Sequence, residues 1–250
     1  MKAMILAAGL GTRLRPLTDD RPKALVEVAG HTLLEITLRR MGEFGIREVI
    51  VNVHHFADMV VDYLQQNDNF GMRIEISREE VLLDTGGGLK KAAWFFLEES
   101  GQAGEPFLLQ NVDVISTIDL RRMVQFHQEH QALATLAVQE RETSRYLLFD
   151  EQDRLCGRRA GPDGTPEIVR VSRQAKAFGF SGVHVISPRF LPMMIEGGIF
   201  SIINSYLRLA GQGENILGFP TGEYYWRDLG KPENVEQATR DIEQQVLKVW

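Results

Sequence analysis

Apolar and polar positions follow two rhythms along this chain. Residues 3–8, "AMILAA", form an unbroken apolar run ending at Gly9, the pattern of a strand buried on both faces of a parallel sheet. In "HTLLEITLRRMGEFG" the apolar residues Leu33, Leu34, Ile36, Leu38, Met41 and Phe44 recur at helical spacing before Gly45, which predicts a helix. "EVIVNV" then predicts a strand, "FADMVVDYLQQ" a helix, "MRIEIS" a strand and "GLKKAAWFFLEES" a helix with the "WFF" cluster in its core. "PFLLQNVDVI" reads as a strand that runs into polar turn residues. This alternation predicts an α/β fold: a mixed, mainly parallel central sheet with helices on both faces and right-handed crossovers. Beyond residue 119 a helix, "LRRMVQFHQEHQ", gives way to short strands in "ALATLAVQE", "RYLLFDEQDRL", "EIVRVS" and "AFGFSGVHVIS", which predicts a small antiparallel extension. "ENVEQATRDIEQQVLKVW" closes as an amphipathic helix, with Trp250 placed to pack against a neighbour.

Composition narrows the partners. The 250 residues are 44% hydrophobic and 25% charged, as in a soluble globular chain, and residues 1–250 are expected to form a single domain. A net charge of -6 argues against nucleic acid or anionic membrane as the main partner. The single cysteine, Cys156, excludes an internal disulfide and a cysteine-based zinc cluster, and reads as a surface or half-buried thiol. "MKAMILAAG" is too short for a membrane span and lacks a signal-peptide pattern, so a cytoplasmic location is expected. The "RRAGPDGTP" stretch is a loop rather than a linker.

Against that acidic background, Arg13, Arg15, Arg21 and Lys23 crowd around Gly9 and Gly11 just after the first strand. Glycine there lets backbone N–H groups approach an anion, and Pro16 and Pro22 stiffen the loop. A dinucleotide fingerprint would need glycine or alanine where Leu14 stands, and a P-loop would need Gly-Lys-Ser/Thr. Two readings remain: a cradle for an anion, or a structural turn with solvated charges. Open α/β sheets bind ligands at the carboxyl ends of their strands, which directs attention to the segments after "AMILAA" and "PFLLQNVDV". His127 and His130 lack the H-E-x-x-H spacing of a zinc helix and read as an exposed polar face; His54 and His55 follow a strand, where they could line the pocket mouth but read first as ordinary loop residues.

The stretch "LAAGLGTRLRPLTDDRPKALVEVAG" resembles the N-terminal signature of the sugar-1-phosphate nucleotidylyltransferases, L-A-A-G-x-G-T-R-L-x-P-L-T-x-x-x-P-K-x-L. The resemblance continues through "LDTGGGLKKA" (83–92), "LLQNVDVI", which occupies the place of the family's N-G-D strand end, and "YYWRDLGKPENVEQA" (224–238), similar to its W-x-D-x-G-T-P-E close. It covers essentially the whole chain and implies a Rossmann-like nucleotidyltransferase A fold. The implied reaction joins a nucleoside triphosphate to a sugar-1-phosphate and expels pyrophosphate, with Mg2+ held by Asp113 and Asp228. Arg13 is implied to bind the departing phosphates and Lys23 to sit near the α-phosphate. Leu6, Ala7, Ala8, Gly9, Gly11, Thr12, Thr85, Gly86 and Gly87 would frame the nucleotide, and Asn111 and Gly182 the sugar. Arg15 and Arg21 are left as surface charges.

Three positions depart from the pattern. Val112 replaces the glycine of N-G-D, Lys231 replaces the usual threonine, and the E-K-P lysine that holds the sugar phosphate in several relatives has no counterpart except Lys176. Without a C-terminal β-helix of hexapeptide repeats, the chain looks most like the N-acetylmuramate-1-phosphate uridylyltransferases, with UTP as donor. GTP with mannose-1-phosphate is the alternative. From other classes, a phosphocholine cytidylyltransferase stays open because Tyr224, Tyr225 and Trp226 could face a quaternary ammonium, and so does a catalytically idle regulatory subunit. Small-molecule substrates, no nucleic acid or membrane partner, and a monomer or homodimer complete the expectation.

Overall fold

The computed structural model describes residues 1–97 and 104–247. Glu98, Glu99 and Ser100 of the expected "WFFLEES" helix, and Trp250, lie outside them. In chain order the elements are β1 (Lys2–Leu6), β2 (Glu27–Val28), β3 (His31–Thr32), α1 (Leu33–Glu43), β4 (Glu48–Val53), α2 (Ala57–Gln66) and β5 (Arg73–Arg78). Then come α3 (Asp84–Lys91), α4 (Ala93–Leu97), β6 (Phe107–Asn111), β7 (Val114–Ser116), α5 (Leu120–Glu129), β8 (Ala134–Gln139), β9 (Arg145–Phe149) and β10 (Leu155–Ala160). The last third holds β11 (Glu167–Ile168), β12 (Lys176–Ile186), α6 (Ile202–Gly211), β13 (Ile216–Pro220), β14 (Trp226–Asp228) and α7 (Pro232–Glu243).

The apolar runs become buried parallel strands because helices cover both of their faces. β1 pairs in parallel with β4 and β6, and β4 with β5. Alternate residues of one strand then enter opposite cores. Ala3 and Ile5 pack in a cluster with α1, α2 and α5, while Met4 packs in a second cluster with α3, α4 and α6. The antiparallel extension is built on β12, which pairs β6 through residues 183–186, β9 through 176–179 and β8 through 179–186. β8 in turn pairs in parallel with β13, a strand absent from the sequence reading.

Local chemistry sets several boundaries. The Thr32 side chain accepts from Glu35 N at 3.1 Å and caps α1, and the Asp119 carboxylate caps α5 through Arg121 N and Arg122 N. The expected helix "GLKKAAWFFLEES" starts earlier and breaks: α3 takes in the run Gly86 to Gly88, and Ala92 ends it before α4. "EIVRVS" contributes only the two residues of β11. Cys156 is fully buried in β10 rather than at the surface, because its strand lies under the β11 and Val169 segment. His127 is buried rather than exposed: its two ring nitrogens meet Thr135 Oγ1 and Ser187 Oγ at 3.0 Å each, and burial lowers its pKa to about 4. Its neighbour on the same helix, His130, is exposed as expected.

Candidate active site

The loop after β1 is folded by its own small residues. Gly11 has φ +66°, a conformation that favours glycine, and its carbonyl accepts from Thr18 Oγ1 at 2.9 Å. A 3-10 turn at Thr12–Leu14 buries Leu14 and leaves Arg13 outside; Pro22 then leads into a second such turn, Lys23–Leu25. The two ionic groups left as surface charges behave so: Arg15 meets Asp19 at 3.4 Å and Arg21 meets Asp20 at 3.0 Å, all well exposed.

Lys23 points inward, and its ammonium donates to Asp113 Oδ2, both side chains being nearly buried. Asp113 lies in the connection between β6 and β7. Its carbonyl accepts from Leu229 N at 2.8 Å, and β14 pairs with β7 with Asp228 opposite Val114, so the residues carrying the two carboxylates are adjacent in one ladder. Asp228 Oδ1 accepts from Gly230 N at 2.6 Å. A Cβ on Gly230 would lie 2.6 Å from that oxygen and 2.7 Å from an Arg13 nitrogen, so Arg13 and Asp228 converge on a spot that only glycine leaves open. The structure therefore gathers Arg13, Lys23, Asp113 and Asp228, drawn from three distant parts of the chain, at the carboxyl ends of β1 and β6. Val112 does not intrude: its side chain is 2% exposed and packs in the core below. Lys231 is exposed and faces Glu233 at 3.7 Å.

Thr85, Gly86 and Gly87 open α3 beside this cluster. Thr85 Oγ1 accepts from Ile202 N at 3.0 Å, and Gly86 N donates to Phe200 O at 2.9 Å. A Cβ on Gly86 would meet the Phe200 ring at 2.3 Å, and one on Gly88 would meet Asn52 and Glu79 at 2.8 Å, so the glycines seat the helix against its neighbours. That contact exposes a network absent from the sequence reading. Asn52 Oδ1 accepts from Ala7 N at 2.7 Å, Asn52 Nδ2 donates to Glu79 Oε1 at 2.7 Å, and Glu79 Oε2 accepts from Leu83 N at 2.9 Å. Both side chains are buried, and each of their polar atoms has a partner, so together they fix the end of β1 relative to the start of α3. The one sequence signal was a lone asparagine inside the apolar "EVIVNV". His54 joins the same corner, its Nδ1 lying 2.8 Å from Glu79 O.

The third side of the cleft is formed by β12. Gly182 has φ +74° within an irregularity of the β12–β8 register, and a Cβ there would meet Asn111 Nδ2 at 3.0 Å. Asn111 and Gly182 are thus in contact at the end of β6. From Asn111 and Thr85 a cavity of about 600 Å³ extends toward the β9–β10 hairpin, lined by Phe180, Arg145, Arg158 and Arg159. Arg158 pairs with Glu167 at 2.7 Å and donates to Asn204. Arg145 and Arg159 have no carboxylate partner among the described residues, and Arg159 lies over the Tyr146 ring at 5.2 Å. Lys176 is not in this cavity. It starts β12 opposite Phe149, six residues before Gly182 and so roughly 20 Å away along the strand. What stands near Gly182 instead is Arg141, in the β8–β9 connection. Its guanidinium lies 4.3 Å from the centre of the Trp226 ring, and Trp226 Nε1 donates to Ser181 O at 2.8 Å. Burial lowers the pKa of Arg141, and the Asp228 carboxylate opposes that shift.

Known proteins place this geometry. Residues 2–154 match the family described as Nucleotidyl transferase. The chain belongs to that family. As a nucleotidyl transferase it is 35% identical over 244 residues to an N-acetylmuramate alpha-1-phosphate uridylyltransferase of Caulobacter vibrioides, covering 92% of each chain. It is 32% identical to mannose-1-phosphate guanyltransferase beta-B of Xenopus laevis, over 94% of this chain and 62% of that longer protein. Among solved structures, HddC from Yersinia pseudotuberculosis complexed with GMP-PN aligns with a TM-score of 0.71 at 22% identity, over 96% and 99% of the two chains. A UDP-glucose pyrophosphorylase complexed with UDP-glucose aligns with a TM-score of 0.75 at 17% identity, over 98% of each chain. At those identities the two structures establish the fold alone; the family match and the sequence relatives support sugar-1-phosphate nucleotidyl transfer as the activity of this nucleotidyl transferase. No helix among the described residues is long and apolar enough to cross a membrane.

Proposed function

We propose that this nucleotidyl transferase uses UTP and N-acetylmuramate 1-phosphate. An acceptor phosphate oxygen attacks the α-phosphorus, the bond to the β-phosphate breaks, and pyrophosphate leaves with the electron pair. The observation that carries the acceptor assignment is the cavity beyond Asn111, where Arg145 and Arg159 line the wall with no carboxylate partner among the described residues. N-acetylmuramate carries a carboxylate that such arginines recognise as charge-assisted acceptors, whereas mannose is neutral. The 35% identity to a uridylyltransferase of that sugar points the same way.

Within the site, Arg13 binds the departing phosphates and Lys23, held beside Asp113, neutralises charge that develops on the α-phosphate. The main chain from Leu6 to Gly9 frames the base and ribose, and Gly11 and Thr12 belong to the glycine turn on the nucleotide side. Thr85, Gly86 and Gly87 border the nucleoside, and Asn111 and Gly182 border the sugar. Asp113 and Asp228 are a donor set that fits a hard divalent ion: one carboxylate just before β7 and one on its partner strand β14, the rest of the shell left to phosphate and water. Mg2+ held by this pair would neutralise the phosphates between donor and acceptor.

A second reading, GTP with mannose-1-phosphate, is favoured by the 32% identity to the Xenopus enzyme. A choline-binding aromatic box finds no support, because its three members turn to other partners. Trp226 stacks with a cation of the protein itself, Tyr225 Oη donates to Asp241 Oδ2 at 2.6 Å, and Tyr224 Oη accepts from Arg122 at 2.8 Å. The test is pyrophosphate release in a matrix of four nucleoside triphosphates against sugar-1-phosphates and phosphocholine with Mg2+. The expected pair is UTP with N-acetylmuramate 1-phosphate. Preference for GTP with mannose-1-phosphate establishes the second reading, and silence across the whole matrix leaves the regulatory-subunit reading.

A further inference from the structure

A phosphoryl acceptor brings two negative charges into a site that already holds two carboxylates and a triphosphate, so the acceptor side needs a cation of its own. Lys176 is too far along β12 to supply it, and Arg13 and Lys23 stand with the two carboxylates on the donor side. Arg145, Arg158 and Arg159 line the cavity toward the β9–β10 hairpin. One further guanidinium, that of Arg141, stands beside the Phe180–Gly182 segment, and three features set it apart.

The first is room made for it. A Cβ on Gly179 would lie 2.7 Å from Arg141 Cζ, 2.8 Å from Nε and 2.9 Å from Cγ. Gly179 has an ordinary strand conformation, so its lack of a side chain serves this arginine and not the backbone. The second is orientation without neutralisation. Arg141 donates one bond to Phe180 O at 2.7 Å and covers the Trp226 face, yet its Nε is buried with no partner and no carboxylate pairs with it among the described residues. A half-buried guanidinium held by a carbonyl and a ring keeps its charge and most of its five donors uncommitted. The third is position. Phe180, Ser181 and Gly182 carry the contacts of Arg141, Trp226 and Asn111 in turn, and Trp226 is two residues from Asp228. Arg141 therefore sits between the acceptor cavity and the carboxylate pair, where a sugar phosphate must lie to reach the α-phosphorus.

We infer that Arg141 is the residue that grips the acceptor's phosphate, oriented by Gly179 and Trp226 in place of a lysine on β12. The inference rests on the sugar-1-phosphate reading and names the recognition element of that same site. It makes Arg141 a substrate-contacting residue of the acceptor half alone.

The test splits the two substrates. In steady-state kinetics, Arg141→Gln should raise KM for the sugar-1-phosphate by roughly ten- to a hundredfold, the loss of a charge-assisted hydrogen-bond pair, and leave KM for the nucleoside triphosphate within about twofold. Arg141→Lys should recover part of the loss, and added guanidinium ion should partly rescue Arg141→Ala. Gly179→Ala, which touches no substrate, should reproduce the acceptor-side defect by displacing the guanidinium. A fall in kcat with both KM values unchanged would make Arg141 a structural prop for Trp226 and overturn the inference. A selective rise in KM for the triphosphate would overturn it equally. Calorimetry keeps this separate from the fate of the functional reading. The wild type should bind N-acetylmuramate 1-phosphate or mannose 1-phosphate at least tenfold more tightly than the unphosphorylated sugar, and Arg141→Gln should lose that preference. If the enzyme turns over no pair in the matrix but shows this difference, the reaction assignment fails and the phosphate site stands; if phosphate brings no preference in the wild type, the phosphate site falls.

Discussion

At the scale of single residues, the centre depends on positions where a side chain is absent as much as on those where one is present. Gly230 is the sharpest case, because Arg13 and Asp228 occupy the space a methyl would need. Gly230→Ala should displace one or both and lower kcat by about 10²-fold, in the range seen when one preorganised charge-stabilising group is removed. Thermal unfolding checks that the fold persists; a variant with parental kcat would show that the two groups need not meet. The carboxylates themselves make a stronger claim. If the proposed Mg2+ site is right, Asp113→Asn and Asp228→Asn should each lower kcat by roughly three orders of magnitude and raise the Mg2+ concentration needed for half-maximal rate, since each removes one of the two charges proposed to hold the ion. A variant with an unchanged Mg2+ requirement would remove that residue from the donor set. Lys23 gives a further reason to expect a large effect at Asp113, because neutralising Asp113 leaves a nearly buried ammonium without its partner.

At the scale of elements, Asp228 is held by a clasp between β14 and α7. Asp241, 7% exposed on α7, accepts from Tyr225 Oη at 2.6 Å, Arg227 at 3.1 Å and Gln237 Nε2 at 2.7 Å, while Asn234 Nδ2 on the same helix donates to Asp228 O at 2.8 Å. Asp241→Ala should cost about 2–3 kcal/mol of stability, the loss of a mostly buried charge-assisted network, and lower kcat more than it changes either KM. Denaturant unfolding and substrate kinetics measure the two effects; parental values of both would mean that the clasp does not position Asp228. Elements of this kind divide the legible from the hidden. β1, β4 and α1 could be read directly because each carries its period within about a dozen consecutive residues, and the "LAAGLGTRL" loop because its glycines and cations are contiguous. The start of α3 was hidden because its first half, Asp84 to Gly88, carries three consecutive glycines, which propensity assigns to a loop and which pack against Phe200, Asn52 and Glu79. β13 was hidden because nothing in "ILGFP" reveals a parallel partner 82 residues earlier. Arg141 and Glu79 escaped notice for the same reason, since their roles depend on approaches across the fold.

At the scale of the whole molecule, two buried histidines join helices to opposite faces of the antiparallel half of the sheet. His127 on α5 is bonded to Thr135 of β8 and to Ser187, and His184 of β12 lies 3.0 Å from Tyr206 Oη of α6. Burial holds their pKa values down to about 4 and about 3. In the unfolded chain an imidazole titrates near 6.5, so between that value and the folded ones the unfolded state binds more protons. Stability is then fully present above about pH 6.5 and declines as pH falls below it, until the folded histidines themselves titrate. At pH 5 each histidine should cost about 2 kcal/mol relative to pH 7.5, or about 4 kcal/mol for the pair. Denaturant unfolding at the two pH values measures the total. His127→Gln keeps hydrogen-bonding capacity toward Thr135 and Ser187 but cannot titrate, so it should remove about half of the acid-side loss whatever it does to stability at pH 7.5. An acid-side loss that is the same in the variant and the parent would show that His127 does not stay neutral in the fold, and that the decline belongs to the carboxylates instead.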